Sequence, residues 1–112
     1  MQRYGSVIGV HSGKIEEYKK LHAAAWPAVL RKIHECNLRN FSIYLRTLEN
    51  GRSFLFSYYE YAGSDYAADM AKIAADPITC QWWSFCEPCQ KPLPDRQPGE
   101  WWSPMQEVFH CD

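Results

Sequence analysis

A chain of 112 residues is the size of one domain, residues 1–112, and is long enough to bury a core without disulfides or metals as obligatory staples. With 46% hydrophobic residues it is not a disordered chain, and a net charge of −1 with the signs mixed excludes the footprint of a nucleic-acid or anionic-membrane binder. The N-terminus lacks a signal peptide's basic-then-apolar pattern, and no run approaches the ~18 apolar residues of a membrane span. Five cysteines without a framework pattern read as free thiols, so a soluble cytoplasmic protein is expected.

Tyr4 to Val10 reads as a buried strand turned by Ser12-Gly13. Ile15, Tyr18, Leu21, His22 and Ala25 recur at helical spacing, which predicts a helix from about Lys14 to Ala25. Pro27 restarts or kinks it, and Val29, Leu30 and Ile33 give the continuation an apolar face ending near Asn37. Phe41 to Arg46 and Ser53 to Tyr61 form two strands around Asn50-Gly51, the strongest short hairpin signal. Ser64 is the expected N-cap of a helix carrying Tyr66, Met70 and Ile73; Asp76-Pro77 interrupts it before a second piece with Trp82, Trp83 and Phe85. Lys91 to Glu100, with three prolines and a glycine, is a loop, and Met105 to Cys111 alternates like a last strand.

Strand, helix, strand, strand, helix, strand is the α+β, ferredoxin-like split βαβ (βαββαβ) order, with four antiparallel strands and the helices on one face. The second face of such a sheet is bare. The stretch "SFLFSYYEY" carries apolar or aromatic residues at both parities, so that face needs a cover, and the simplest is the same face of a second copy. A homodimer is expected.

Tyr18, His22 and Trp26 fall on one helix edge if the helix reaches Trp26. Imidazole titrates near neutrality and exchanges protons readily, and a phenol beside it offers a hydrogen bond. Spacing alone favours a plainer reading, a helix packing its aromatics into the sheet. Trp82 and Trp83 point about 100° apart on a helix, so one can pack inward while the other edges a cleft, although sequence alone favours two core or interface tryptophans. Trp101-Trp102 can cap a pocket, pack at a dimer contact or close the end of a barrel.

Cys86-Glu87-Pro88-Cys89 with His110-Cys111 suggests zinc, but a lone CxxC at a helix end is a weak signal for metal or redox chemistry. Cys36 and Cys80 read as small buried hydrophobes, and His34 as solvated. No glycine-rich phosphate loop, GxSxG or HExxH is present, which disfavours phosphoryl transfer and zinc hydrolysis.

Four stretches, "EEYKKLHAAAWP" (Glu16 to Pro27), "NFSIYL" (Asn40 to Leu45), "CQWW" (Cys80 to Trp83) and "QEVFHCD" (Gln106 to Asp112), run in an order and at spacings that resemble the L-rhamnose mutarotase family over nearly the whole chain. The resemblance implies a dimeric α/β barrel, without cofactor or metal, that interconverts the α and β anomers of a 6-deoxyhexose. It implies His22 as the catalytic proton donor, and Tyr18, Trp82 and Trp83 as sugar-binding. At Phe41 the family usually has a substrate-contacting tyrosine, so a hydroxyl is missing there. Ala28 and Leu21 also depart from the family's acidic and basic residues. Sugar identity is therefore open to L-fucose. An aromatic-ligand pocket of a dimeric α/β-barrel, monooxygenase-like protein is the competing reading.

Overall fold

The computed structural model describes residues 1–112. Its elements are β1 (Gln2–Val10), α1 (Ile15–Ala23), α2 (Pro27–Glu35), β2 (Leu38–Thr47), β3 (Ser53–Tyr61), α3 (Tyr66–Ala75), α4 (Pro77–Cys86), β4 (Gln90–Lys91) and β5 (Ser103–Met105). The sheet runs β2-β3-β1-β4, all antiparallel, and β5 also pairs with β1. The expected split βαβ order is present, with each helical arm broken in two by a proline.

Each break has a local cause. Pro27 holds Trp26 in an extended conformation (φ −68°, ψ 130°), so α1 stops at Ala23 and α2 starts afresh with proline in its first turn. Asp76 caps α4 through its carboxylate, 2.9 Å from the Thr79 amide, with Pro77 next in line. At α3 the cap is Asp65, which accepts from the Ala68 amide, and not Ser64 as expected. Asn50 and Gly51 turn the β2–β3 hairpin with φ of 70° and 72°, which a glycine and an asparagine adopt at little cost.

On β3, Ser53, Leu55, Ser57, Tyr59 and Tyr61 face the helices, opposite Val10, Ile8, Ser6 and Tyr4 of β1. The alternate residues Phe54, Phe56 and Tyr58, with Val7 and the 66% exposed Tyr44, form the other face, which no helix covers. Under the helices the core divides. Ile8, Val10, Tyr18, Val29, Leu55, Trp82, Cys86 and Cys89 make one cluster, and Cys36, Leu38, Tyr61 and Ile73 make another.

The C-terminal strand is shorter and earlier than the alternation suggests. It is Ser103–Met105, and from Gln106 onward the chain pairs with no strand. Glu107 ties this tail to Arg3 with two hydrogen bonds of 3.2 and 2.8 Å, while Val108 and Phe109 are 88% and 81% exposed. Cys80, expected inside, is exposed and donates to the Ala74 carbonyl; it follows Thr79 on the outer side of α4. No helix is long and apolar enough to cross a membrane.

Candidate functional site

One helical turn separates Tyr18 from His22, and their rings stack with centroids 4.1 Å apart. The His22 Nδ1 lies 2.9 Å from the Tyr18 backbone carbonyl. A carbonyl only accepts, so Nδ1 carries the hydrogen and the lone pair of the neutral ring sits on Nε2. Burial lowers the His22 pKa below its ordinary 6.5, which keeps the ring neutral and basic at neutral pH. Trp82 meets the same imidazole edge-on at 5.2 Å. Trp26 has left the helix edge on which Tyr18 and His22 lie, yet it still packs against Trp82 at 5.3 Å and Phe85 at 5.8 Å.

Tyr18 is buried, and burial pushes its phenol well above the ordinary 10.0. Its oxygen accepts from the Gln90 side-chain amide at 3.4 Å, and the Gln90 oxygen in turn accepts from the Trp101 indole at 2.7 Å. β4 brings Gln90 there. The α-hydrogen of Gly9 lets the Lys91 carbonyl approach β1, where a side-chain carbon would stand 2.5 Å from it.

A second aromatic group lies further along the same face of the sheet. Tyr4 and Tyr66 stack at 4.3 Å, Phe41 packs on Tyr59 at 5.1 Å, and the Tyr59 and Tyr66 hydroxyls bond to each other. Between the two groups β1 and β3 present only Ser6 and Ser57, whose hydroxyl oxygens are 2.5 Å apart. From Leu55 to Tyr59 is about 13 Å of strand. Two small hydroxyl side chains across that span make a polar floor between the Ile8–Leu55 pair, in the core cluster that holds Tyr18 and Trp82, and the tyrosines beyond.

Of the residues singled out from sequence, Tyr18, His22 and Trp82 come together. Phe41 lies with Tyr59 at the far end of the floor, at the irregularity between Arg39 and Ser42 of β2, and is 41% exposed. Trp83 is 37% exposed and stands outside the His22 cluster, as adjacent positions on a helix require. Ser6, Ser57, Tyr59 and Gln90 were not anticipated as parts of this region, and Trp101, expected to cap a pocket, pack at a dimer contact or close a barrel end, was not anticipated as the partner of Gln90. Gln90 and Trp101 meet across a loop of irregular backbone, and pattern arguments do not see such pairings.

The cysteines do not assemble. Cys86 and Cys89 are buried in the main core, where burial pushes their thiols up to about 12 and about 11, and Cys89 donates to Glu17 at 3.1 Å. His110 and Cys111 belong to the exposed tail, and no group of three or more His, Cys, Asp or Glu is placed to hold a metal ion.

A family profile described as L-rhamnose mutarotase matches residues 3–111. The chain is 34% identical to the L-rhamnose mutarotase of Lactiplantibacillus plantarum over 112 residues, and 34% identical to that of Bacillus subtilis over 113; both alignments cover all of each chain. Its fold matches the crystal structure of an L-rhamnose mutarotase from Formosa agariphila with a TM-score of 0.74, at 21% identity and full coverage of both chains.

Proposed function

The chain belongs to the L-rhamnose mutarotase family, and we propose that it interconverts the α and β anomers of L-rhamnose, with His22 as the catalytic group. The observation that carries the chemistry is the His22 tautomer. With Nδ1–H given to the Tyr18 carbonyl, Nε2 is a free base beside a buried phenol.

Ring opening moves one proton. Nε2 takes it from the anomeric hydroxyl as the bond from C1 to the ring oxygen breaks and C1 becomes an aldehyde. The imidazolium then delivers that proton to the former ring oxygen, which is reachable because both oxygens start on the same carbon. Rotation about C1–C2 and reversal of these steps close the ring as the other anomer. Tyr18 resists ionisation, so it serves as a hydrogen-bond donor to the departing ring oxygen and not as a proton source. Trp82, beside the imidazole, borders the sugar's apolar side, C6 methyl included, while Trp83, outside that cluster, and Phe41, at the other end of the serine floor, reach it from the periphery. No step calls for a cofactor.

Acid–base help of about 10²- to 10⁴-fold is the expected contribution of such a residue. Saturation-difference NMR of L-rhamnose, L-fucose and D-glucose, with wild type and His22→Ala, tests it. Accelerated exchange for a deoxysugar, lost in the variant, is expected. No acceleration for any sugar refutes the activity, and acceleration that survives the substitution refutes the role of His22.

The assembly belongs to the same proposal. The uncovered face with Phe54, Phe56 and Tyr44, and the tail with exposed Val108 and Phe109, are covered by a second copy of the chain, giving a homodimer. Free thiols fit a reducing cytoplasm. Sedimentation equilibrium of the full chain reads the mass, and a monomer at micromolar concentration contradicts the dimer.

A further inference from the structure

We infer that Gln90 is a positioning residue that sets the polarity of the Tyr18 hydroxyl, and that Trp101 locks Gln90 in the orientation this requires. The inference rests on Tyr18 acting at the sugar site as proposed above.

A side-chain amide has a donor end and an acceptor end, and only its surroundings decide which way it faces. Indole nitrogen is a donor only. The Trp101 Nε1–H, 2.7 Å from Gln90, therefore requires the Gln90 oxygen at that end and leaves the amide NH2 toward Tyr18. Gln90 is 7% exposed, so water does not compete freely for either end. The Tyr18 oxygen accepts from the Gln90 amide nitrogen at 3.4 Å and its own proton has no acceptor among the protein groups, which leaves the phenol a donor for a ligand.

That polarity complements the reaction. A pyranose ring oxygen has lone pairs and no hydrogen, whereas the anomeric hydroxyl beside it has a proton to give. A free Nε2 lone pair on His22 and a donating phenol on Tyr18 match those two oxygens, each by the group of opposite sense. With Gln90 reversed, Tyr18 would donate to the amide oxygen and present only lone pairs to the ring oxygen. Trp101 thus acts at one remove from the reaction. It comes from the loop between β4 and β5, which surrounds a recess of about 580 Å³ lined by Pro94, Arg96 and Trp101 among others, with the Arg96 guanidinium 5.8 Å from the indole centroid. The sugar-facing phenol is tuned from this surface loop.

Gln90→Glu is the decisive variant, because the carboxylate and the acid differ in polarity at constant shape. The neutral acid mimics the amide: one oxygen accepts from Trp101, and the O–H donates to Tyr18. The carboxylate only accepts, so it captures the phenol's proton. The other titratable and charged groups around this pair are His22 and Glu17 on α1, Lys14 just before α1, Cys86 on α4, Glu87 and Cys89 before β4, and Arg96 against Trp101. All are shared with the wild type, so the variant-to-wild-type ratio at each pH cancels their titration to first order. In anomer-exchange assays on L-rhamnose, kcat of Gln90→Glu is expected about tenfold or more below wild type at pH 8, the scale of a lost hydrogen bond to a charged group. KM moves less, and the ratio climbs toward one as the pH falls through the carboxyl's titration. In a Tyr18→Phe background the penalty disappears. A ratio flat with pH, or a full penalty in that background, overturns the inference.

A readout independent of turnover separates this from the activity itself. In ¹H–¹⁵N spectra of the wild type, the Trp101 indole resonance should move on Gln90→Met, and the Gln90 side-chain amide resonances should move on Tyr18→Phe. If neither moves, the polarity lock does not exist, whether or not the protein turns over sugar. If both move while wild type accelerates exchange of no sugar, the lock stands and the mutarotase reading falls.

Discussion

Two aromatic groups share the helical face of one sheet, and they differ in how their polar atoms are used. Around Tyr61 every strong group has a partner. The Tyr61 hydroxyl donates to Asp69 at 2.5 Å and receives the Asp65 amide at 3.0 Å, Asn37 donates to the same carboxylate at 3.0 Å, and Tyr59 bonds Tyr66. Packing there is tight enough that a side-chain carbon on Gly63 would stand 2.4 Å from the Tyr61 oxygen. Around His22 the rings are as closely packed, but Nε2 and the Tyr18 proton have no protein partner. Buried polar groups are ordinarily satisfied. Closed bonding is what a structural cluster needs at the Tyr61 end, and spare bonding capacity is what the proposed sugar site needs at the His22 end.

The largest effects should separate the two ends cleanly. His22→Ala is expected to remove the about 10²- to 10⁴-fold catalytic contribution with a small change in melting temperature, since the half-buried imidazole makes one hydrogen bond. Tyr61→Phe is expected to do the reverse. It strips a donor from the buried Asp69 and lowers the melting temperature by several degrees, while anomer exchange stays within about twofold. Calorimetry and exchange kinetics on both variants check this. A Tyr61→Phe protein that melts like wild type, or a His22→Ala protein that unfolds, erases the contrast.

A smaller effect, in pH, sharpens it. The His22 pKa lies below 6.5 because burial disfavours the imidazolium, so the acid limb of kcat/KM should titrate below 6.5. The unfolded chain takes up that proton more readily than the folded one, so His22 also withdraws stability as the pH drops from 6.5 toward its folded value. Asp69 acts lower. The Tyr61 hydrogen bond, then that of Asn37, holds its carboxyl below the ordinary 3.8, giving stability that is fully present above 3.8 and is lost as the pH falls through the folded value. Activity should therefore fail in mild acid before the Tyr61 end opens. An acid limb above 6.5 contradicts the buried, neutral imidazole.

The same division explains what the sequence made legible. Local signals carried the architecture: Asn50-Gly51 turned where expected, Pro27 and Pro77 broke the helices, and Tyr18 and His22 met because four residues make a turn. Trp82 was legible only as one of a pair, and burial decided which of the two joined His22. Gln90, Trp101 and the Ser6–Ser57 floor were not legible, because contacts across 11 or 51 residues leave no periodic trace. The tail misled for a related reason. Gln106 to Cys111 alternates like a strand, but β1 already has β4 and β5 on that edge, and the alternation finds no neighbour to pair with.

The smallest expected effect concerns Phe41, where the site and the phenol cluster meet. Its ring rests on Tyr59, whose hydroxyl is already engaged with Tyr66, so that end of the floor offers a sugar an aromatic edge and no free donor. Phe41→Tyr adds one hydroxyl to a ring that is 41% exposed, so solvent accommodates it and the fold loses little. One added hydrogen bond is worth about 1 kcal/mol, a few-fold in kcat/KM, and it can only favour a sugar with a hydroxyl placed to meet it. The ratio of kcat/KM for L-rhamnose and L-fucose should therefore shift a few-fold while the His22-dependent acid limb stays in place. An unchanged ratio removes Phe41 from the sugar site and confines that site to the Tyr18–His22 end. A displaced acid limb would mean that the two ends communicate, and the contrast between closed and open bonding would then describe one connected network.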